Sequence, residues 1–306
     1  MGKGKLRKFA ENATFHCMVQ PALDQVLHCD HPLKGRWGAD FFHNDHPIVL
    51  ELGCGKGDYT VALAWRHPEI NYIGIDIKGA RMWKGAKFAE QNGLGNVAFL
   101  RTRIEFISSL FAAGEVSAIW LTFSDPQIGR ENKRLTSPRF LSRYAGFLSP
   151  GGTIHLKTDS RYLYEYTLAL CEANQLPVRF ATHDLYALKP SRPVVVPDAS
   201  RPAVSQASAA ASAADGGFSA PARKVADGGS CASLCEMPLD PALFEVQTFY
   251  EKHFLAQGYP ICYLEFSLSS QDDENSFPEQ MFRSPDWDEE RWADEDHHAF
   301  VIQIHD

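Results

Sequence analysis

Glu51-Leu52-Gly53-Cys54-Gly55-Lys56-Gly57 begins at the end of the strand-like run Ile48 to Leu52 and leads into an amphipathic stretch. A glycine-rich turn between a strand and a helix belongs at the carboxyl end of a strand in an open α/β sheet, the edge at which such sheets bind ligands. The rest of the chain agrees with that architecture. Short runs rich in β-formers, at Ile48 to Leu52, Asn71 to Ile75, Val97 to Leu100, Ala118 to Phe123 and Thr153 to Leu156, alternate with helical stretches near Thr60 to Arg66, Arg81 to Gln91, Arg139 to Leu148 and Tyr162 to Ala173. Strands alternating with helices predict a mostly parallel sheet with helices on both faces.

Glycines at 53, 55 and 57 let backbone approach a ligand closely, but a dinucleotide fingerprint would place its third glycine at position 58, where this chain has Asp58. Some twenty residues on, Asp76 closes the second strand, where an acid can accept hydrogen bonds from ribose hydroxyls. The acid at Glu51 ahead of alternating glycines is the arrangement typical of S-adenosylmethionine enzymes, and it favours that cofactor over NAD; a carboxylate capping local amides is the plainer reading of Glu51 alone. The fourth strand ends in Ser124-Asp125-Pro126, with Arg130, Lys133 and Arg134 just beyond. An acid at that edge is placed to meet a substrate, and the cations suit phosphate, although a turn followed by a solvated basic loop has the same sequence.

Four segments follow from composition. Residues 1–45 form an N-terminal arm and lead-in, and 46–189 with 242–269 form a single catalytic domain. Residues 190–241, rich in Ala, Ser and Pro, read as a flexible insertion, because so few apolar groups cannot offset the entropy of ordering. Residues 270–306 read as an acidic, solvated tail, with Trp287 and Trp292 among its charges. Past the insertion, Phe244 to Ala256 is expected to form a helix and Ile261 to Leu268 a strand. The net charge of −8 looks unfavourable for a nucleic-acid partner, but residues 271–296 hold eleven acids against Arg283 and Arg291, so the remainder is one charge positive. Lys3, Lys5, Arg7 and Lys8 make the N-terminus basic, either as a phosphate-binding or a disordered arm. No apolar run approaches the length of a membrane span, no export signal is evident and the seven cysteines form no paired framework, so a cytoplasmic protein without a structural metal is expected. Cys231 and Cys235 alone would be half a zinc site.

Five pieces together are more specific than any glycine loop: Leu50 through Gly57, Phe123-Ser124-Asp125-Pro126, Asn132-Lys133-Arg134-Leu135, His155-Leu156-Lys157-Thr158-Asp159 and Thr248-Phe249-Tyr250-Glu251. With Lys34 to Trp37 upstream, they resemble the bacterial tRNA (guanine-N7)-methyltransferases. The resemblance implies a Rossmann-like, class I S-adenosylmethionine-dependent methyltransferase fold and methylation of a variable-loop guanosine, at tRNA position 46. It also implies cofactor contacts from Glu51, Gly53, Gly55 and Asp76, with Asp125 at the active centre. Arg130, Asp159, Thr248 and Glu251 would form the substrate pocket. The chain departs from the family's pattern at Gln127, where a Trp commonly follows Asp-Pro, and at Thr102-Arg103, where an adenine-contacting acid often stands; Glu105 or backbone groups are left to meet that ring. A small-molecule methyltransferase and a noncatalytic RNA-binding scaffold remain as alternatives. Tyr59 and Trp83 read as core, and His155, in an apolar strand, as a structural histidine.

Overall fold

The computed structural model describes residues 3–188, 239–268 and 282–295. Its centre is an eight-stranded sheet built from β1 (Met18–Val19), β2 (Ile48–Leu52), β3 (Asn71–Asp76), β4 (Val97–Arg101), β5 (Val116–Thr122), β6 (Leu148–Thr158), β7 (Val178–Thr182) and β8 (Cys262–Ser267). The spatial order is β1-β4-β3-β2-β5-β6-β8-β7. Every pair from β1 to β6 is parallel, and β8 runs antiparallel between β6 and β7.

Strand periodicity creates two cores. Leu50, Leu52, Ile73, Ile75, Ala98 and Leu100 face one side, where α4 (Pro138–Ala145) and α5 (Arg161–Ala173) cover them. Val49, Tyr72, Val97 and Phe99 face the other, under α2 (Asp58–Arg66) and α3 (Gly79–Asn92). Strands buried on both faces carry nearly continuous apolar runs, which is why β2 reads so clearly in the sequence. The chain winds from β2 outward through β3 to β4 and then returns to the opposite side of β2 at β5. The reversal opens a crevice between β2 and β5 at their carboxyl ends, the usual ligand position in such a sheet.

The structure corrects several expectations. The N-terminal arm is a helix, α1 (Lys3–Asn12), packed on α3: the buried Asn12 amide donates to Gly79 O at 2.8 Å, and Trp83 Nε1 donates to Glu11 at 2.7 Å. Its neighbours Lys8 and Lys87 cover the Trp83 ring. β6 is longer than its central apolar run, taking in Leu148 and the Pro150-Gly151-Gly152 sequence that suggested a turn. Gly151 absorbs a left-handed φ of +68° there, beside an irregular register between Val116 and Ala118. The helix expected over Phe244 to Ala256 is two helices, α6 (Ala242–Glu245) and α7 (Phe249–Ala256), broken before Thr248. β7 escaped notice because its burial is only partial and without alternation. The expected insertion lies outside the described residues apart from positions 239–241, as do Cys231 and Cys235.

The acidic tail is not simply solvated where it is described. Residues 282–288 and α8 (Glu289–Glu295) lie along α5, with the Trp287 ring set edge-on against Tyr162 and Tyr166 at centroid distances of 5.5 and 5.6 Å. Among the described residues, no helix is long and apolar enough to cross a membrane.

Candidate functional site

The glycine turn begins where β2 ends, and its Gly53 N–H and Cys54 N–H both donate to Ile75 O of the neighbouring strand, at 2.8 and 3.1 Å. Gly53 and Gly55 adopt φ of +79° and +55°, and a Cβ on Gly53 would meet nothing within 4 Å. Gly57 serves packing instead. A Cβ there would come within 2.4 Å of the Phe99 ring, which shows how closely the turn sits against the sheet and α3.

Glu51 points from β2 into the crevice and is 5% exposed. One carboxylate oxygen accepts from the backbone N–H of Thr60, at 2.9 Å, and from the Thr60 hydroxyl; the other accepts from the Thr122 hydroxyl at 2.6 Å. Sequence reasoning missed both threonines. Thr122 lies two residues beyond Trp120, the residue that pairs with Glu51, so it shares Glu51's face only once the β2–β5 register is known. Burial raises the Glu51 carboxyl from 4.5 to about 7, against the opposing effect of its hydroxyl and amide donors. The folded state therefore holds this proton more tightly than the unfolded state does. The stability it contributes is fully present below pH 4.5 and is lost as the pH rises through about 7. Thermal unfolding of the ligand-free protein should show this loss, and Glu51→Gln should remove it from the pH profile. Parallel profiles for the two proteins would show that Glu51 ionises as an ordinary carboxyl.

Asp76 ends β3 beside the turn. Its carboxylate accepts from Gly55 N–H at 3.0 Å and Lys78 N–H at 2.7 Å, so the turn and the start of α3 are tied to one side chain. Gly53, Gly55, Asp76 and Glu51 line a single cavity of about 550 Å³ that continues past Thr102 to Glu105 and along Thr122 to Asp125. That volume is in the range of small-molecule sites. Glu105, which with backbone groups was the expected substitute for the absent acid, is on this wall and is held below the ordinary carboxylate range by Arg103.

At the end of β5 the backbone is unusual: Phe123 and Gln127 have φ of +52° and +51°. Such conformations in non-glycine residues cost about 1–3 kcal/mol each and persist where their surroundings hold them. Phe123 N–H donates to Lys157 O of β6 at 2.9 Å, and Gln127 N–H donates to the Asp125 carboxylate at 2.9 Å. Asp125 is exposed on the cavity wall. Lys133 is also on the wall. Arg134 corrects the expected basic cluster, because it is fully buried and its guanidinium is committed to Pro126 O, Gln127 O and Glu289, unavailable to phosphate. Arg130 is exposed on this loop and does not line the cavity.

The opposite wall comes from α7. Since β8 is antiparallel, Cys262 pairs with Thr158 at the carboxyl edge of the sheet, and the preceding helix is delivered there. Thr248 and Glu251 form a capping box: the Thr248 hydroxyl accepts from Glu251 N–H at 3.1 Å, and Glu251 accepts from Thr248 N–H at 3.2 Å. Thr248, Phe249 and Tyr250 line the cavity, and Lys56 lies 4.6 Å above the exposed Phe249 ring. Glu251 does not line it. The carboxylate is fully buried, 2.6 Å from Lys157 Nζ, and accepts from the Tyr186 hydroxyl at 2.7 Å. Its place is behind the wall, where it fixes Thr248. Asp159 follows β6 at the same edge, half-buried and outside the cavity lining.

His155, outside the cavity, stacks on Trp120 at 4.2 Å, bonds through its two ring nitrogens to Thr153 and Tyr263, and is kept neutral by burial, with its pKa pushed down to about 3. Tyr59 is buried in the core and also lines the cavity. Among the described residues, no group of three or more potential ligands is placed to hold a metal ion, and Cys17, Cys29, Cys54, Cys171 and Cys262 form no disulfide.

Comparison with known proteins places this geometry. The family described as "Putative methyltransferase" matches residues 45–198. The chain is 46% identical over 255 residues to the tRNA (guanine-N(7)-)-methyltransferase of Porphyromonas gingivalis, covering 83% of this chain and 82% of that one. With the protein of the same name from Christiangramia forsetii it shares 42% identity over 268 residues, covering 87% and 98% of the two chains. The Bacteroides thetaiotaomicron protein of that name is 56% identical over 186 residues, covering 61% and 74%. The chain belongs to the tRNA (guanine-N7)-methyltransferase family.

Proposed function

We propose that this enzyme transfers a methyl group from S-adenosylmethionine to nitrogen 7 of a variable-loop guanosine in tRNA, and that its catalytic domain comprises 46–189 and 242–269, interrupted by the 190–241 insertion. The observation that carries this reading is the continuity of one cavity from the Glu51–Gly57 turn and Asp76 to Asp125 and Thr248. The cofactor half fits its ligand: left-handed glycines at 53 and 55 leave open space for close approach, and the Asp76 carboxylate stands at the position that accepts from a ribose. When bound, S-adenosylmethionine supplies an electrophilic methyl group on a sulfonium centre. Buried Glu51, beside that half, is suited to a ligand with positive charge.

Guanine nitrogen 7 has an in-plane lone pair and no proton, so the protein needs no base to activate it. Its work is to orient the ring and to favour the cationic purine that results. Asp125 is an acceptor on the wall where the base would enter, and Thr248 faces it from α7. Beyond the lining, exposed Arg130 suits a phosphate of a larger substrate, and half-buried Asp159 is an acceptor for that substrate's hydroxyl or amino groups. Deleting the gene and mapping N7-methylguanosine in the strain's tRNA tests this reading; modification that persists unchanged refutes it.

Asp76→Ala should weaken S-adenosylmethionine binding by about 1–3 kcal/mol, the cost of leaving buried hydrogen-bond donors without a partner. Calorimetric affinity equal to wild type would remove Asp76 from the cofactor site.

A further inference from the structure

The C-terminal segment meets the site from behind. One Glu289 carboxylate oxygen accepts from Gly129 N–H at 2.7 Å, from Arg134 Nη2 at 2.9 Å and from the Tyr162 hydroxyl. The segment is anchored just ahead of that contact. Asn174 exchanges two hydrogen bonds with the Arg283 backbone, at 2.7 and 2.8 Å, and Trp287 stacks on Trp292 at 5.3 Å while its ring edge packs on α5.

Arg134 transmits the contact. It is fully buried over the Tyr166 ring, 3.9 Å from its centroid, and among the described residues Glu289 is the carboxylate within ion-pair distance. A buried guanidinium depends on a counter-charge, and Arg134 depends on it the more because Nη1 is without a hydrogen-bond partner among the described residues. Its Nε donates to Pro126 O at 2.8 Å, and Nη2, which also meets Glu289, donates to Gln127 O at 3.3 Å, the two residues directly after Asp125. Gln127 is in the left-handed region and donates its N–H to the Asp125 carboxylate, so the turn that presents Asp125 has an uncommon backbone that needs support. The contacts run without a gap from Glu289 through Arg134 to Pro126 and Gln127, and from there to Asp125.

We propose that Glu289 is a positioning residue for methyl transfer, supplied in cis by the C-terminal segment, which fixes the 126–134 loop and through it the Asp125 carboxylate. This rests on the reading of the Asp125 turn as the base-facing wall. The segment thus completes the substrate side of the site, and the cofactor side is independent of it.

Full-length Glu289→Gln and Glu289→Asp provide the test. Three quantities are compared with wild type: single-turnover transfer at saturating tRNA, S-adenosylmethionine affinity, and hydrogen exchange of the amides in 126–134. Glu289→Gln should slow transfer by about 10- to 100-fold, the scale of a small misplacement of reacting groups. It should also speed exchange in that loop and leave cofactor affinity within about twofold, the change expected of a group remote from that site. Glu289→Asp, which keeps the charge, should recover part of both losses. Unchanged transfer and exchange would overturn the proposal, as would an equal loss of cofactor affinity, the sign of general unfolding. Exchange reports on the loop even if wild-type protein methylates no tRNA, which separates failure of this proposal from failure of the functional reading. If Glu289→Gln does not fold, Trp287→Leu, which loosens the same segment without removing the charge, must speed exchange and slow transfer; wild-type behaviour there overturns the proposal.

Discussion

Asp125→Asn should slow single-turnover methyl transfer to unmodified tRNA by about 10²–10³-fold, the range seen when one preorganised electrostatic partner is removed. The substitution keeps the side chain's shape but removes its charge and presents an amide donor where the purine needs an acceptor. Cofactor affinity should stay near wild type, because Asp125 stands beyond the Glu51 and Asp76 end of the cavity. Transfer near the wild-type rate would exclude Asp125 from catalysis, and a matching loss of cofactor binding would move it to the other half of the site.

The buried pair behind the opposite wall should have the largest effect on stability. Lys157 Nζ sits 2.6 Å from Glu251 and 2.6 Å from Leu243 O, with Val246 O at 3.4 Å, and both side chains are fully buried. Burial pushes the Lys157 ammonium below its ordinary pKa, and the Glu251 carboxylate opposes that shift. Lys157→Met leaves Glu251 without its counter-charge and two carbonyls without a donor, so unfolding free energy should fall by about 3–5 kcal/mol. Adding Glu251→Gln should recover much of the loss, because the orphaned charge is then gone. Urea denaturation measures both, and a single-variant loss below about 1 kcal/mol, the value of a solvated pair, would contradict the buried geometry.

The sequence revealed most where signals were local. β2 and β3 were legible because central parallel strands are apolar on both faces, and Asn92-Gly93 marked the end of α3 because Gly93 takes the left-handed cap, at φ +63°. One local signal was overlooked: Thr248-Phe249-Tyr250-Glu251 has the spacing of a capping box, and this would have placed the break between α6 and α7. Long-range partnerships were not legible. Arg134 reads as one more surface cation until Glu289, 155 residues later, and the Tyr166 ring enclose it. Glu251 reads as a pocket acid until Lys157 buries it, and the acidic tail as solvated until Trp287 meets α5. In each case the deciding quantity is burial beside a partner distant in sequence, and charge alone points the wrong way.

The identity of the methyl acceptor decides the function. Purified protein should be incubated with methyl-labelled S-adenosylmethionine and unmodified tRNA, and the labelled nucleoside identified and located in the tRNA. Label is expected in N7-methylguanosine within the variable loop, and none without tRNA. Label on another atom or another region of the tRNA, or transfer to a small molecule with no tRNA present, would contradict it.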